Sequence, residues 1–254
     1  MTICYFTATG NSLYVAKRIG GTLLSIPKLI KKNEIVIDDD AVGIIAPVYA
    51  GNMPEMVRNF LKKVKIKTDY LFFICTYGMS YSVAKVNAIS IANESGIKID
   101  YVNVVKMVDN YLPGFDIKKQ IESAHKKNID GQIDSICNDI SSKKKNVTSI
   151  NLLQKVAKWI VNNTMGKVMF NKNTAKKYVV DDNCVLCGTC AKVCPANNIS
   201  VKDKVIFADK CEVCYACIHN CPKKAIHVKF EKSSDRFRNE HIELKEIIEA
   251  NEID

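Results

Sequence analysis

The chain has 254 residues, a formal charge of +10 and 47% hydrophobic residues, which leaves room for one large domain or two small ones of ordinary water-soluble composition. Its longest apolar runs, residues 41–50 and 70–75, fall far short of a bilayer span, so no transmembrane segment is expected. It opens MTICYFTATG, without the basic and apolar regions of a secretory signal, and the expectation is a cytoplasmic protein with reduced cysteines.

In chain order, the β-branched and aromatic TICYF runs into TATGNS (7–12) and then the amphipathic SLYVAKRIGG, which reads as strand, tight loop, helix. Thr7, Thr9 and Ser12 offer hydroxyls, Gly10 allows close backbone approach, and Asn11 or Ser12 sits where helix amides are unsatisfied, a loop suited to a phosphate. Ser, Thr and Asn before a helix also serve as plain caps. Further strands are predicted near 22–26, 41–49, 70–77 and 98–105, with helices at 55–64, 81–95 and 117–141. Alternation of this kind implies a parallel sheet covered by helices on both faces. Ligands then bind beyond the carboxyl ends of the strands, where the loops 7–12, 47–54 and 76–80 emerge.

Together these three loops resemble the phosphate loop and the two flavin-flanking loops of the flavodoxin family, over residues 1–145. The resemblance implies a doubly wound α/β fold, five parallel strands in the order 2-1-3-4-5, and FMN as cofactor. It places Thr7, Thr9, Gly10, Asn11 and Ser12 on the FMN phosphate, and Pro47, Tyr49, Ala50, Gly51, Asn52, Thr76, Tyr77 and Gly78 around the isoalloxazine. In the family a Gly-containing peptide such as Gly51–Asn52 turns its carbonyl toward flavin N5, which favours the one-electron-reduced flavin; glycine permits both conformations. Many flavodoxins stack a tryptophan on the flavin. Here the only tryptophan is Trp159, which leaves Tyr49, Tyr77 or Met53 for that role, or an open face. The chain is also basic where flavodoxins are acidic.

Residues 151–173 intersperse Leu152, Val156, Trp159, Ile160, Met165, Val168 and Met169 with Lys155, Lys158 and Lys167. This amphipathic basic stretch is expected to pack on a neighbouring domain rather than lie on a membrane.

Eight of the eleven cysteines then form two copies of one string, Cys184, Cys187, Cys190 and Cys194 before Pro195, and Cys211, Cys214, Cys217 and Cys221 before Pro222. Corresponding cysteines lie 27 residues apart. Three thiolates spaced by two residues wrap one iron–sulfur cubane while the fourth reaches across to the other. The sets are Cys184, Cys187, Cys190 and Cys221 for one cluster, and Cys211, Cys214, Cys217 and Cys194 for the other. Structural zinc prefers two separated pairs and has no use for the third cysteine of each string. Residues 178–230 resemble the bacterial two-[4Fe-4S] ferredoxin family, in which an aromatic often stands at the place of Tyr178; the second half has Val205 there. That implies a small α+β domain with two [4Fe-4S] clusters.

The expected division is 1–150 for the flavodoxin-like part, 151–177 for the connector, 178–230 for the ferredoxin-like part and 231–254 for a charged helical tail that covers the ferredoxin or docks on the flavodoxin part. Cys4, Cys75 and Cys137 read as small core residues, and His219 as a surface or supporting histidine, since its string already supplies four cysteines. Cluster thiolates and a flavin phosphate would cancel much of the positive charge, and the lysines are not interleaved with aromatics, so no nucleic-acid partner is expected. The combination resembles flavodoxin–ferredoxin fusion proteins of anaerobic bacteria. Its implied role is single-electron exchange between FMN, the clusters and redox protein partners, with no residue assigned to catalysis. The competing reading is a flavin-dependent oxidoreductase acting on a small substrate, with the clusters as its wire; no G-x-G-x-x-G dinucleotide fingerprint accompanies it.

Overall fold

A computed structural model describes the chain except residues 82, 148, 149, 151, 165–170, 253 and 254. Strands are numbered along the chain as β1 (Thr2–Tyr5), β2 (Thr22–Ser25), β3 (Val36–Asp38), β4 (Ala41–Pro47), β5 (Lys65–Lys67), β6 (Tyr70–Tyr77) and β7 (Tyr101–Lys106). Five of them form one parallel sheet in the order β2-β1-β4-β6-β7, and the short β3 and β5 pair separately. Without that short pair the order is the expected 2-1-3-4-5. Register is set by pairs such as Thr2 with Thr22 and Val42, Ala41 with Tyr70, and Phe72 with Tyr101. Val42, Ile44, Ile45, Phe72, Phe73 and Ile74 are fully buried. Such runs are apolar on both sides because helices cover both faces of the sheet.

Helices α1 (Asn11–Ile19), α2 (Ile26–Leu29), α3 (Glu55–Lys63), α4 (Ala84–Glu94), α5 (Ile117–Glu122) and α6 (Ile129–Ser141) surround the sheet. The single helix predicted over 117–141 is instead broken by a 3-10 turn at Ala124–Lys127 and by Asn128, which takes the left-handed conformation at φ 46°. Asparagine adopts that region at small cost, so helical periodicity on either side did not reveal the break.

The cysteine-rich part repeats with the period of its sequence. Its elements are β8 (Val179–Val180), α8 (Thr189–Lys192), β9 (Ile199–Val201), β10 (Val205–Phe207), α9 (Ala216–His219) and β11 (Ile226–His227). Helices α8 and α9 lie 27 residues apart, and the antiparallel pairs β8·β11 and β9·β10 each join one half to the other.

Helix α7 (Leu152–Asn163) rests on α4, with Lys158 reaching Glu94. The expected packing of its apolar stripe is not observed: Leu152, Leu153, Val156, Trp159 and Ile160 are exposed, because the opposite face, through Gln154, Ala157 and Lys158, meets the protein. The expectations for Asn151, Met165, Lys167, Val168 and Met169 lie outside the described residues. The tail helix α10 (Leu244–Asn251) opens with a capping box between Glu243 and Glu246. It buries Ile247 and Ala250 against the flavodoxin-like part, where Ser25 donates to the Ala250 carbonyl, and it touches the cysteine-rich part at Val193. Among the described residues no helix is long and apolar enough to cross a membrane.

Candidate cofactor sites

A cavity of ≈ 800 Å³ opens beyond the carboxyl ends of β1, β4 and β6, within the size range of small-molecule and cofactor clefts. Thr7, Thr9, Asn11, Ser12, Pro47, Tyr49, Ala50, Gly51, Thr76, Tyr77 and Gly78 line it. The chain crosses from one side of the sheet to the other between β2 and β4, so the loops after β1 and β4 part there and leave a crevice.

The head of the cavity suits an anion. Helix α1 starts at Asn11 behind Gly10 with no side-chain cap, leaving its first amides for a ligand. Thr7 Oγ1 accepts from the Gly10 amide, Thr9 Oγ1 accepts from Asn110, and Ser12 Oγ lies 2.8 Å from Thr76 Oγ1. A hydroxyl that accepts keeps its own proton to donate. The backs of the same peptides are held from outside. Thr7 O accepts from Asn251 Nδ2 at 3.1 Å, Ala8 O from Asn220 Nδ2 at 3.1 Å, and Thr9 O from the Asn239 amide at 2.8 Å. Three consecutive carbonyls are thereby turned away from the cavity.

Gly10 does not line the cavity. It sits at φ 96°, and a Cβ there would lie 3.0 Å from the Cβ atoms of Asn239 and Ile242, so the glycine admits the tail rather than a phosphate. Asn52 also stays outside; it is buried, and its Oδ1 accepts from the Met53 amide. Tyr49 and Asn52 exchange backbone hydrogen bonds, with Ala50 and Gly51 between them at φ 49° and 76°. Two positive φ values in a two-residue loop describe a type I′ turn, which glycine accommodates without strain. Met53 is fully buried away from the cavity and Trp159 is exposed on α7, so Tyr49 and Tyr77 are the aromatic candidates that reach it.

Sequence reasoning missed a fourth loop. Val108, Asp109, Asn110, Tyr111, Pro113 and Phe115, after β7, complete the wall. Asp109 accepts from the Met79 and Tyr111 amides, and its burial pushes its carboxyl up from the ordinary range. The turn residues Asn110, Pro113 and Gly114 signalled a loop, but nothing local placed it beside residues 7–12.

The cysteine strings fold into two matching loops. Left-handed residues recur at Leu186 and Val213, Gly188 and Tyr215, and Asn197 and Lys224, again 27 residues apart. A left-handed valine is costly and persists only where its surroundings over-determine it. The amides of Asn198 and Ala225 donate to the sulfurs of Cys194 and Cys221, and the Val213 amide donates to Cys211. Burial, opposed by an amide and reinforced by Cys221, Cys184 and Cys187, pushes the Cys190 thiol up to about 11. Burial, then Cys194 and Cys211, pushes Cys214 well up; Cys217 moves likewise beside Cys214, Cys194 and Cys211. Cys187, hydrogen-bonded by Thr189, is lowered. Cys190 thus neighbours Cys221, Cys184 and Cys187, while Cys217 neighbours Cys214, Cys194 and Cys211 and also feels Cys190. Among the described residues no three such groups converge on a single ion. Buried sulfurs that would repel one another as thiolates fit a multinuclear cationic iron core, which would hold them in that form.

Tyr178 is buried against Phe207 and Tyr215, where its hydroxyl feels Cys211 and Cys217. Val205, its counterpart, borders the pocket of Cys184, Cys187, Cys190 and Cys221. His219 is not a ligand candidate: Nδ1 accepts from the Phe237 amide, which leaves Nε2–H to donate to Asn110 O at 2.8 Å. Burial pushes it down to about 4, so it is neutral. Cys4 and Cys75 are buried and pushed up to about 12, as core positions require, whereas Cys137 is only half-buried and lies at the margin of the core rather than in it.

The two sites share a wall. Val213 and Tyr215, from the loop of Cys211, Cys214 and Cys217, line the cavity together with Thr174 and Val228. From the same loop, half-buried Glu212 accepts from the Met56 amide at the start of α3, which has no cap of its own. Burial pushes that carboxyl up to about 7. Burial, then the charges of Cys214 and Glu212, pushes the Tyr49 phenol well up.

A family model described as a flavodoxin domain matches residues 2–106, and one described as a 4Fe-4S dicluster domain matches residues 176–222. No curated protein matches the chain. Among solved structures, a flavoprotein from Bacteroides uniformis is 16% identical, with 48% of this chain and 95% of that chain covered at a TM-score of 0.34. The Flv1 flavodiiron core from Synechocystis sp. is 14% identical at a TM-score of 0.30, covering 53% of this chain and only 36% of that one.

Proposed function

We propose that the chain, whose residues 2–106 match a flavodoxin domain and 176–222 a 4Fe-4S dicluster domain, exchanges single electrons between FMN, two [4Fe-4S] clusters and external redox partners. FMN belongs in the cavity, with Thr7, Thr9, Asn11 and Ser12 at its phosphate and Tyr49, Ala50, Gly51, Thr76, Tyr77 and Gly78 around its ring. Cys184, Cys187, Cys190 and Cys221 hold one cluster, and Cys211, Cys214, Cys217 and Cys194 the other. When bound, a flavin takes one or two electrons and a cubane takes one, so the pair interconverts the two kinds of transfer. The division at 1–150, 151–177, 178–230 and 231–254 belongs to the same proposal.

The carrying observation is the shared wall: Val213 and Tyr215 belong at once to a cysteine loop and to the cavity lining. The second cysteine loop thereby supplies the short path between the sites. The first loop faces outward, with Cys187 exposed and Val185 and Leu186 59% and 42% exposed, a surface suited to an external protein partner.

Anaerobic purification should yield about eight iron, eight sulfide and one FMN per chain; stoichiometric zinc, or FAD in its place, would overturn the assignment. Tyr215→Gly then tests the wall, because its counterpart in the first loop is Gly188 at φ 76° and Tyr215 itself has φ 57°. That variant should keep its iron and sulfide yet bind FMN more weakly and exchange electrons with it more slowly in stopped-flow. FMN affinity and exchange rate both equal to wild type would remove the shared wall from the mechanism.

A further inference from the structure

We propose that α7 is an in-plane membrane helix that seats the protein on an anionic bilayer surface. Its apolar side chains face solvent: Leu152 and Leu153 are 77% and 76% exposed, Trp159 67%, and Val156 and Ile160 about half. At 3.6 residues per turn these five occupy an arc of about 120°. The helix is already anchored on its other side, through Lys158 to Glu94 and through half-buried Gln154, Ala157 and Val161. An apolar face that points away from the protein, with an amphipathic aromatic at its edge, has the form of a helix lying in the headgroup region. Twelve residues are too few to span a bilayer and enough to lie along one.

Charge selects the occupant. Residues 140–180 contain nine lysines and no aspartate, glutamate or arginine, a concentration of formal +9 along the sequence; Lys144, Lys145, Lys158 and Lys172 pair with Asp139, Asp100, Glu94 and Glu55, and Lys155 lies exposed beside the apolar face of the helix. Basic residues beside an apolar face are attracted to the negative potential of anionic lipid. The same concentration of like charge opposes a second copy packing face to face.

The test uses the loaded full-length protein and vesicles of phosphatidylcholine with or without phosphatidylglycerol. Trp159 is the sole tryptophan, so its emission reports this face alone. With anionic vesicles the protein should sediment, the Trp159 emission should shift to the blue, and aqueous quenchers should lose access to the ring. Partitioning should fall at least tenfold in Leu152→Glu/Val156→Glu, which keeps wild-type flavin and iron content, and should also fall at high salt. An unmoved emission on adding anionic vesicles overturns the proposal, as does equal partitioning of the double variant. A dimer in sedimentation velocity that the double variant abolishes assigns the face to a second copy instead. The same emission shift with soluble polyglutamate, and none with vesicles, assigns it to an acidic protein.

Discussion

Asn251→Ala tests whether the tail organises the flavin phosphate loop. The Asn251 side chain is 1% exposed, and its Nδ2 donates to Thr7 O at 3.1 Å and to Val193 O at 3.2 Å. Truncation leaves both carbonyls without that donor in a site closed to water, at about 1–3 kcal/mol each. The Val193 share falls on tail docking. The Thr7 share falls on the loop whose amides face the cavity, so FMN binding should weaken by about 1–2 kcal/mol, roughly five- to thirtyfold in dissociation constant. Asn251→Asp should be worse, because a carboxylate cannot donate and repels both carbonyls. Lys17→Ala is the control. It breaks an exposed pair with Glu246 on the same tail helix, worth at most about 1 kcal/mol, and touches nothing in the loop. The assay is fluorescence quenching of FMN titrated into deflavinated protein. If Asn251→Ala and Lys17→Ala bind FMN alike, the tail does not orient the loop and the reasoning fails.

Gly78→Ala would place a Cβ on the Asp109 side chain, which is pinned by the Met79 and Tyr111 amides. Crowding of this kind costs about 1–3 kcal/mol, so FMN affinity should fall about tenfold by the same titration, and wild-type affinity would show that the loop yields freely. His227 sits between Glu231 Oε1 at 2.7 Å and Asp181 Oδ2 at 3.0 Å, and Glu231 first, then Asp181, raises its pKa against desolvation. Its contribution to joining β8 and β11 is therefore complete below the ordinary histidine value of about 6.5 and fades as pH rises through the higher folded value. Denaturant unfolding should show that loss in wild type and less of it in His227→Gln; identical pH slopes would refute the clasp. Cys194→Ser should perturb the cluster proposed for Cys211, Cys214 and Cys217, its neighbours in the fold, and leave the Cys184 set intact by electron paramagnetic resonance. Damage confined to the Cys184 set would reverse the crossing.

Interactions of short range along the chain were legible in the residues. The apolar runs 41–47 and 70–77 implied strands buried on both faces, because each residue of such a strand meets a helix layer whatever the helix contains. The 27-residue repeat implied two alike cysteine loops, and the backbone repeats its left-handed residues at the same interval, since identical spacing around identical geometry requires identical turns. Thr7, Ser12, Tyr49, Thr76 and Gly78 came together because the parallel order brings the carboxyl ends of neighbouring strands to one edge.

What the tertiary structure alone decided joins residues distant in the chain. Thr7 and Asn251 are 244 positions apart, Ala8 and Asn220 are 212, and no periodicity links them. Gly10 had a plausible local role beside a phosphate, yet its missing Cβ accommodates Asn239 and Ile242. Tyr215 carried the signature of a cluster loop and turned out also to wall the cavity, while Trp159, apolar enough for a core, faces solvent. Local pattern specifies which side of an element is apolar. Only the docking of one element on another determines whether that side meets protein, cofactor or water, because burial depends on every surface that arrives there.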